Sequence, residues 1–264
     1  GRVSRYGIIA MASSLDSVGH IGNSVLDCAR TLNVTAGHDV LDATTSPRPV
    51  IDYCQNIFKQ PLSLKIGVPK EYLRLGSTIT QGMDPNVETV TETALDKLKS
   101  LGHEIVPISL PHTPQSLAAY YIIQPAEVSS NLARYDGIRY GNGRSHFGSE
   151  AKRRIMLGTY TLSAGYYDAY YKTAQKIRTL VINDFQKAFT QVDLIAAPVM
   201  PHLPFKIGEK VSDPLSLYLE DVLTVPVNLA GLPAISVPCG FSASKLPVGL
   251  QIIGPQFTED LIIR

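Results

Sequence analysis

Apolar residues recur along this chain with two periods. Val25, Leu26, Ala29 and Leu32 fall at helical intervals behind Ser24, which stands three residues before Asp27 at the spacing of a capping box, and the run stops at Gly37. This predicts a short first helix. Leu64 to Val68 is a compact apolar run closed by Pro69, the pattern of a buried strand. A second helix is predicted from Asp84-Pro85, with Val87, Val90, Ala94, Leu98 and Leu101 on one stripe and Gly102 placed to end it. The strand His103 to Ile108 follows at once. Strand, helix and strand with short joins predict a parallel crossover, whose helix lies against one face of a sheet.

Pro114 to Tyr135 again reads as helical, broken once at Pro125 and closed by Gly137. From Tyr166 to Phe189, apolar and aromatic residues return every three or four positions, which predicts a third helical region. Leu194 to Val199 reads as a completely buried strand, and Thr224 to Val227, Ala234 to Val237 and Val248 to Ile253 are further strand candidates. The predicted class is α/β, a mixed sheet covered by helices on both faces. No internal repeat or linker interrupts it, so residues 1–264 read as a single domain.

Charge and cysteine content narrow the class. Charged residues make up 18% of the 264 positions and hydrophobic ones 44%, against about 25% charged in an average globular chain, so the interior is large and disorder is excluded as the main state. A formal net charge of +1 gives no broad cationic field for a nucleic-acid backbone. Cys28, Cys54 and Cys239 are odd in number and far apart. They fit a reducing compartment and core thiols better than a disulfide framework or a Cys-rich zinc site. The uncharged stretch from Val222 to Ser244 is long enough to span a bilayer, but Pro226, Pro233, Pro238, Asn228 and Gly231 make it buried strands and turns instead. Gly1 to Gly7 resembles neither a signal peptide nor a transit helix and lacks an initiator Met, so the chain is expected to be an internal piece of a longer protein.

Several chemical motifs fail on spacing. Gly141-Asn142-Gly143 lacks the third glycine of a dinucleotide loop, and Gly143 to Gly148 has one residue too many for a nucleophile elbow. No phosphate-binding Gly-Lys-Ser/Thr word occurs, and His20, His38, His103, His112, His146 and His202 show no metal-ligand spacing. No metal site is predicted, and no self-sufficient catalytic set is present.

Three other features stand out, each with an ordinary explanation beside it. Glu150 to Gly158 is a basic cluster running into apolar residues, which is either a solvated helix face or a binding surface. Tyr218-Leu219-Glu220-Asp221 ends on a carboxylate that either caps a helix or lies at the rim of a pocket. Tyr120-Tyr121-Ile122-Ile123 puts an aromatic pair on an apolar helix, where a core role is a commoner reading than a site. Together they meet one chemical need. A free amino acid has a carboxylate that suits a planar guanidinium and an ammonium that suits a carboxylate, with a phenol available for a further hydrogen bond.

The words of the sequence also resemble a known family. Gly1 to Gly7, followed by Ala12-Ser13-Ser14-Leu15-Asp16, is similar to the segment just after the nucleophile region of amidase-signature enzymes. Ala36 to Asp39, Gly67 to Tyr72, Ser129 to Gly137, Lys152 to Gly158 and above all Gly165-Tyr166-Tyr167-Asp168-Ala169-Tyr170-Tyr171 narrow the resemblance to the glutamyl-tRNA(Gln) amidotransferase A-subunit branch. Pro226 to Pro233 and Pro247 to Gln251 extend it nearly end to end.

That resemblance implies a glutaminase, a carbon-nitrogen ligase component with glutamine as amido donor. One serine attacks the side-chain amide, and a lysine acting through a second serine manages the proton. The lysine and both serines are expected upstream of Gly1, so this segment is expected to hold no catalytic residue and to be inactive alone, and Ser13 and Ser14 do not fill the gap. The family's last helix is cut short after Arg264. By motif, Tyr121, Arg154 and Asp221 resemble the residues that hold glutamine, with Arg154 on the α-carboxylate and Asp221 on the α-ammonium. The resemblance further implies a B-subunit that binds tRNA, ATP and Mg, and a small adaptor subunit, with no cofactor in this chain. Only five residues separate Gly141 from Phe147, where bacterial members carry a longer insertion, which points to a mitochondrial matrix form with bacterial cytoplasm as the alternative. The competing functions are a general amidase of the same family, or a non-catalytic assembly subunit if the natural chain is this short.

Overall fold

Ser24 caps the first helix as its spacing predicts. In the computed structural model, which describes residues 1–55, 57–59, 62–73, 82–210 and 212–264, its side chain accepts the Asp27 N–H at the start of α1 (Val25–Thr35). The buried run after it forms β1 (Lys65–Pro69), which passes directly into a single turn, α2 (Lys70–Leu73). Asp84 caps α3 (Pro85–Ser100) by accepting from the Asn86 N–H at 2.8 Å, and Pro85 occupies the first turn, where its missing N–H has no helical partner to lose. β2 (Glu104–Ile108) then lies parallel to β1, with Ile66 opposite Ile105. The predicted crossover is present.

α4 (Thr113–Leu132) departs from the expectation of a break at Pro125, for it runs straight through that residue. Proline removes the N–H that would bond the Tyr121 carbonyl. The helix is nonetheless held from outside, because Ile123, Gln124, Pro125, Ala126 and Val128 are all buried. A 3₁₀ turn (Arg144–His146) leads to α5 (Ser149–Leu162), which carries the basic cluster and packs across α4. The third predicted helical region is split. Tyr167–Lys172 forms a wide π turn, and α6 (Thr173–Ala188) follows it as a regular helix.

β3 (Leu194–Pro198) is buried at all five positions. After it come α7 (Pro214–Leu219), a 3₁₀ turn (Glu220–Leu223) and α8 (Val225–Ala230). The last of these corrects the expected strand at Thr224 to Val227. A short, wholly apolar run has no periodicity to separate strand from buried helix. Here Pro226 fits the first helical turn, and Gly231 closes it in the left-handed conformation at φ 66°. β4 (Ala234–Phe241) and β5 (Pro247–Ile253) form a hairpin, and α9 (Glu259–Ile263) ends the described chain.

The five strands order β2-β1-β3-β5-β4, parallel across the first three and antiparallel across the last three. Side chains alternate across the sheet. Ile195 and Ala197 join a core built with α4, α6 and α8, whereas Ala196 joins Ile66, Val68 and Leu250 in a second core under α3. Helices therefore cover both faces of a mixed sheet. Pro238 lies in β4, an edge strand with a register shift between Pro238 and Gly240, where a missing N–H is tolerated. The three cysteines are free thiols at half-buried positions, and Cys239 packs against the second core. Among the described residues, no helix is long and apolar enough to cross a membrane.

Candidate functional site

Three elements converge at the middle of α4. α4 supplies Tyr120 and Tyr121, α5 supplies Glu150 and Arg154, and α7 with its following 3₁₀ turn supplies Tyr218 and Asp221. Glu150 lies in the first turn of α5, where the helix dipole favours an acid, and Arg154 follows four residues later on the same face. Asp213 caps α7 through the Ser216 N–H. The 3₁₀ turn buries Glu220 to 2% exposure, where its Oε1 accepts from His202 Nδ1 at 3.0 Å and from Lys210 Nζ, and leaves the next residue, Asp221, half-buried.

The Tyr121 hydroxyl donates to Asp221 Oδ2 at 2.7 Å. The Tyr218 ring stacks on Tyr121 at 4.2 Å between centroids and 23° between planes, and Tyr120 meets Tyr121 edge-on at 5.1 Å. Glu150 Oε1 accepts two hydrogen bonds at 2.8 Å, one from the Tyr218 hydroxyl and one from Arg154 Nε. Arg153 takes the other carboxylate oxygen from the exposed side. The Arg154 guanidinium carbon lies 5.9 Å from the Tyr218 ring centroid, at the edge of cation–π range.

Electrostatics fix the protonation states. Burial, then donation to the Asp221 carboxylate, pushes the Tyr121 phenol up, so it is a neutral donor at ordinary pH. Burial also raises Tyr120, against the pull of Arg154. For Arg154, burial works against the charge, but the Glu150 carboxylate outweighs it and holds the guanidinium above its usual value. Glu150 is pushed up by burial and pulled down further by Arg154 and Tyr218, so it is ionised.

The structure thus brings Tyr121, Arg154 and Asp221 together around one stacked aromatic pair. Arg154 rather than Arg153 borders the tyrosines, and Tyr121 rather than Tyr120 bonds to Asp221. Arg154 pairs with Glu150, whereas Asp221 accepts from the Tyr121 hydroxyl, so the cation and the anion meet the ring pair through different partners. Glu150 and Tyr218 belong to this cluster too, yet sequence reasoning treats them only as parts of longer runs. Their spacing was the available signal, four residues before Arg154 and three before Asp221.

Ser13 and Ser14 are tied elsewhere. Ser13 Oγ accepts from Asn131, while Ser14 Oγ donates to Glu127 at 2.6 Å and accepts from Arg178 at 2.7 Å. A cavity of about 720 Å³ opens beside Val68, Leu95 and Ile105, and none of the clustered tyrosines lines it. Among the described residues, no group of three or more His, Cys, Asp or Glu side chains is placed to hold a metal ion.

Residues 1–263 match the family model described as Amidase. The glutamyl-tRNA(Gln) amidotransferase A-subunit of Thermodesulfovibrio yellowstonii is 53% identical over 278 aligned positions, covering 100% of this chain and 56% of that protein. Its counterpart in Roseiflexus castenholzii is also 53% identical, covering 100% and 55%. The crystal structure of the glutamyl-tRNA(Gln) amidotransferase A-subunit from Thermotoga maritima superposes with a TM-score of 0.82 at 43% identity, covering 100% of this chain and 54% of that one. The fold is shared more widely, with 6-aminohexanoate cyclic dimer hydrolase at a TM-score of 0.80 and 23% identity. The chain spans about half the length of the curated relatives it matches. Alignments of 278 positions against 264 residues mean that those relatives carry residues this chain lacks.

Proposed function

Since the chain belongs to the amidase family, as the match over residues 1–263 shows, we propose that it is the glutamine-holding portion of a glutamyl-tRNA(Gln) amidotransferase A-subunit. Residues 1–264 are then the C-terminal part of one amidase-signature domain. What supports the reading is that a guanidinium and a carboxylate both border the Tyr121–Tyr218 stack.

In this reading Arg154 takes the α-carboxylate of glutamine through its planar fork, and Asp221 takes the α-ammonium, oriented by the Tyr121 hydroxyl. The Tyr121 ring, backed by Tyr218, forms an apolar wall along the substrate's methylenes. Held at both charged ends, glutamine has its side-chain amide as the one group left to react. The attacking serine, the second serine and the lysine that completes the set belong to the part of the protein preceding these residues. The ammonia released serves a partner B-subunit, which activates tRNA-bound glutamate with ATP and Mg and is assembled with a small adaptor subunit. The relatives above are bacterial, so we place the protein in a bacterial cytoplasm rather than in the mitochondrial matrix expected from the short Gly141 to Phe147 connection.

The test uses the full-length protein. Arg154→Lys keeps the charge but loses the fork, and Asp221→Asn removes the anion. Each is expected to raise the glutamine KM roughly tenfold or more, because a charge-assisted hydrogen bond is lost. Hydrolysis of simple aliphatic amides, which have no zwitterion to hold, should change little. Equal losses on glutamine and on aliphatic amides would instead identify a general amidase.

A further inference from the structure

The clasp residues do not hold themselves in place. Arg154 and Tyr121 lie on different helices, and one path between them is a short relay from Arg154 Nε to Glu150 Oε1, from that same oxygen to the Tyr218 hydroxyl, and from the Tyr218 ring to the Tyr121 ring. We propose that Glu150 and Tyr218 are positioning residues for substrate recognition: Glu150 fixes the guanidinium by its Nε edge, and Tyr218 transmits that register to Tyr121 and so to Asp221. The proposal rests on the glutamine reading above.

Guanidinium chemistry explains why Nε is the correct atom to tether. Arginine has five N–H donors in a rigid plane, and Nε uses only one of them. With that edge fixed, the four N–H groups on the two Nη atoms remain for Tyr120 and for an incoming carboxylate. A free arginine would have to lose rotamer freedom on binding, whereas a tethered one has lost it on folding. Glu150 can do this without capturing the whole cation. Its second oxygen is taken by Arg153, and the first is shared with Tyr218, so no bidentate pair with Arg154 competes with the ligand.

Tyr218 links the two halves of the clasp. It lies three residues before Asp221, so one short segment carries both the ring that stacks on Tyr121 and the carboxylate that Tyr121 contacts. Its hydroxyl sets the distance of that segment from α5. Removing the hydroxyl while keeping the ring leaves the stack but frees the segment from Glu150.

The experiment measures KM and kcat of the full-length protein for glutamine and for an aliphatic amide, in Glu150→Gln, Tyr218→Phe, Arg154→Lys and the double variant Glu150→Gln with Arg154→Lys. Glu150→Gln is expected to raise the glutamine KM roughly tenfold and Tyr218→Phe severalfold, with kcat and aliphatic amide hydrolysis little changed. In the Arg154→Lys background, Glu150→Gln should add less than twofold, because both act through one guanidinium. If Arg154→Lys raises the glutamine KM while neither Glu150→Gln nor Tyr218→Phe does, the positioning role is overturned and the glutamine reading stands. If Arg154→Lys itself leaves KM unchanged, the glutamine reading fails and takes this proposal with it. Equal loss of kcat on both substrates assigns Glu150 and Tyr218 to general structure and also overturns it. Should Glu150→Gln not fold, Tyr218→Phe decides alone, since it retains the stacked ring.

Discussion

Asp42 illustrates how much order a single carboxylate imposes on the loops that open the chain. It accepts from the Arg5 N–H at 2.8 Å, and from the Thr44 N–H and hydroxyl at 3.0 and 2.7 Å. Those bonds favour the ionised form and hold the carboxyl down from 3.8 to about 2. A group whose pKa is lower in the fold stabilises it above the unfolded value and loses that contribution as pH falls. The backbone amides of Arg5 and Thr44 are therefore expected to lose protection as pH drops from about 4 towards 2. The readout is amide hydrogen exchange, and Asp42→Asn should remove this pH-dependent component. Nothing in the local pattern marked Asp42, because its donors lie two residues away on one side and 37 residues away on the other. The candidates Tyr121, Arg154 and Asp221 came from likeness to family words, because their spacing alone fitted a core pair, a solvated face and a helix cap.

Helices α4 and α5 meet where the sequence offers an imino acid on one side and no side chain on the other. A Cβ placed on Gly158 would lie 1.8 Å from the Pro125 carbonyl oxygen and 2.4 Å from its carbon. Both atoms are backbone, so no rotamer change relieves the overlap. Gly158 is one turn beyond Arg154 and Pro125 one turn beyond Tyr121, so this approach sets the helix spacing next to the clasp. Gly158→Ala is expected to destabilise the fold by about 1–3 kcal/mol through overpacking, despite alanine's better helix propensity. A lower denaturant midpoint with an unchanged slope would show it, and a denaturant midpoint equal to or above that of the parent would refute it. The same contact explains why the expected break at Pro125 did not occur. Proline's local cost is visible in the sequence, but the glycine of the partner helix that meets it comes 33 residues later. The α8 error has a related origin, since a wholly buried apolar run shows no polar face from which to read a period.

At the scale of the whole molecule, a strand of the sheet is tied to the turn that carries Asp221. Gln251 lies in β5 at 4% exposure, and its Nε2 donates to the Pro198 carbonyl at 2.9 Å and to the Leu223 carbonyl at 3.0 Å. The first bond runs to the end of β3, and the second to the last residue of the 3₁₀ turn that carries Asp221. One amide thus ties the segment that carries Asp221 to the sheet. The parallel half of that sheet was legible, because strand, helix and strand follow one another in sequence with short joins. The antiparallel half was legible only as separate strands, and the tie through Gln251 spans 53 and 28 residues, beyond any local pattern. Gln251→Leu conserves approximate volume but leaves two buried carbonyls without their donor, at a cost of about 1–3 kcal/mol each. The thermal midpoint should fall accordingly. If the tie also sets the position of Asp221, the glutamine KM of the full-length protein should rise at temperatures well below that midpoint while aliphatic amide hydrolysis is retained. A variant that loses stability and keeps its glutamine KM would confine Gln251 to the core and leave the recognition segment held by Glu220 and its partners His202 and Lys210.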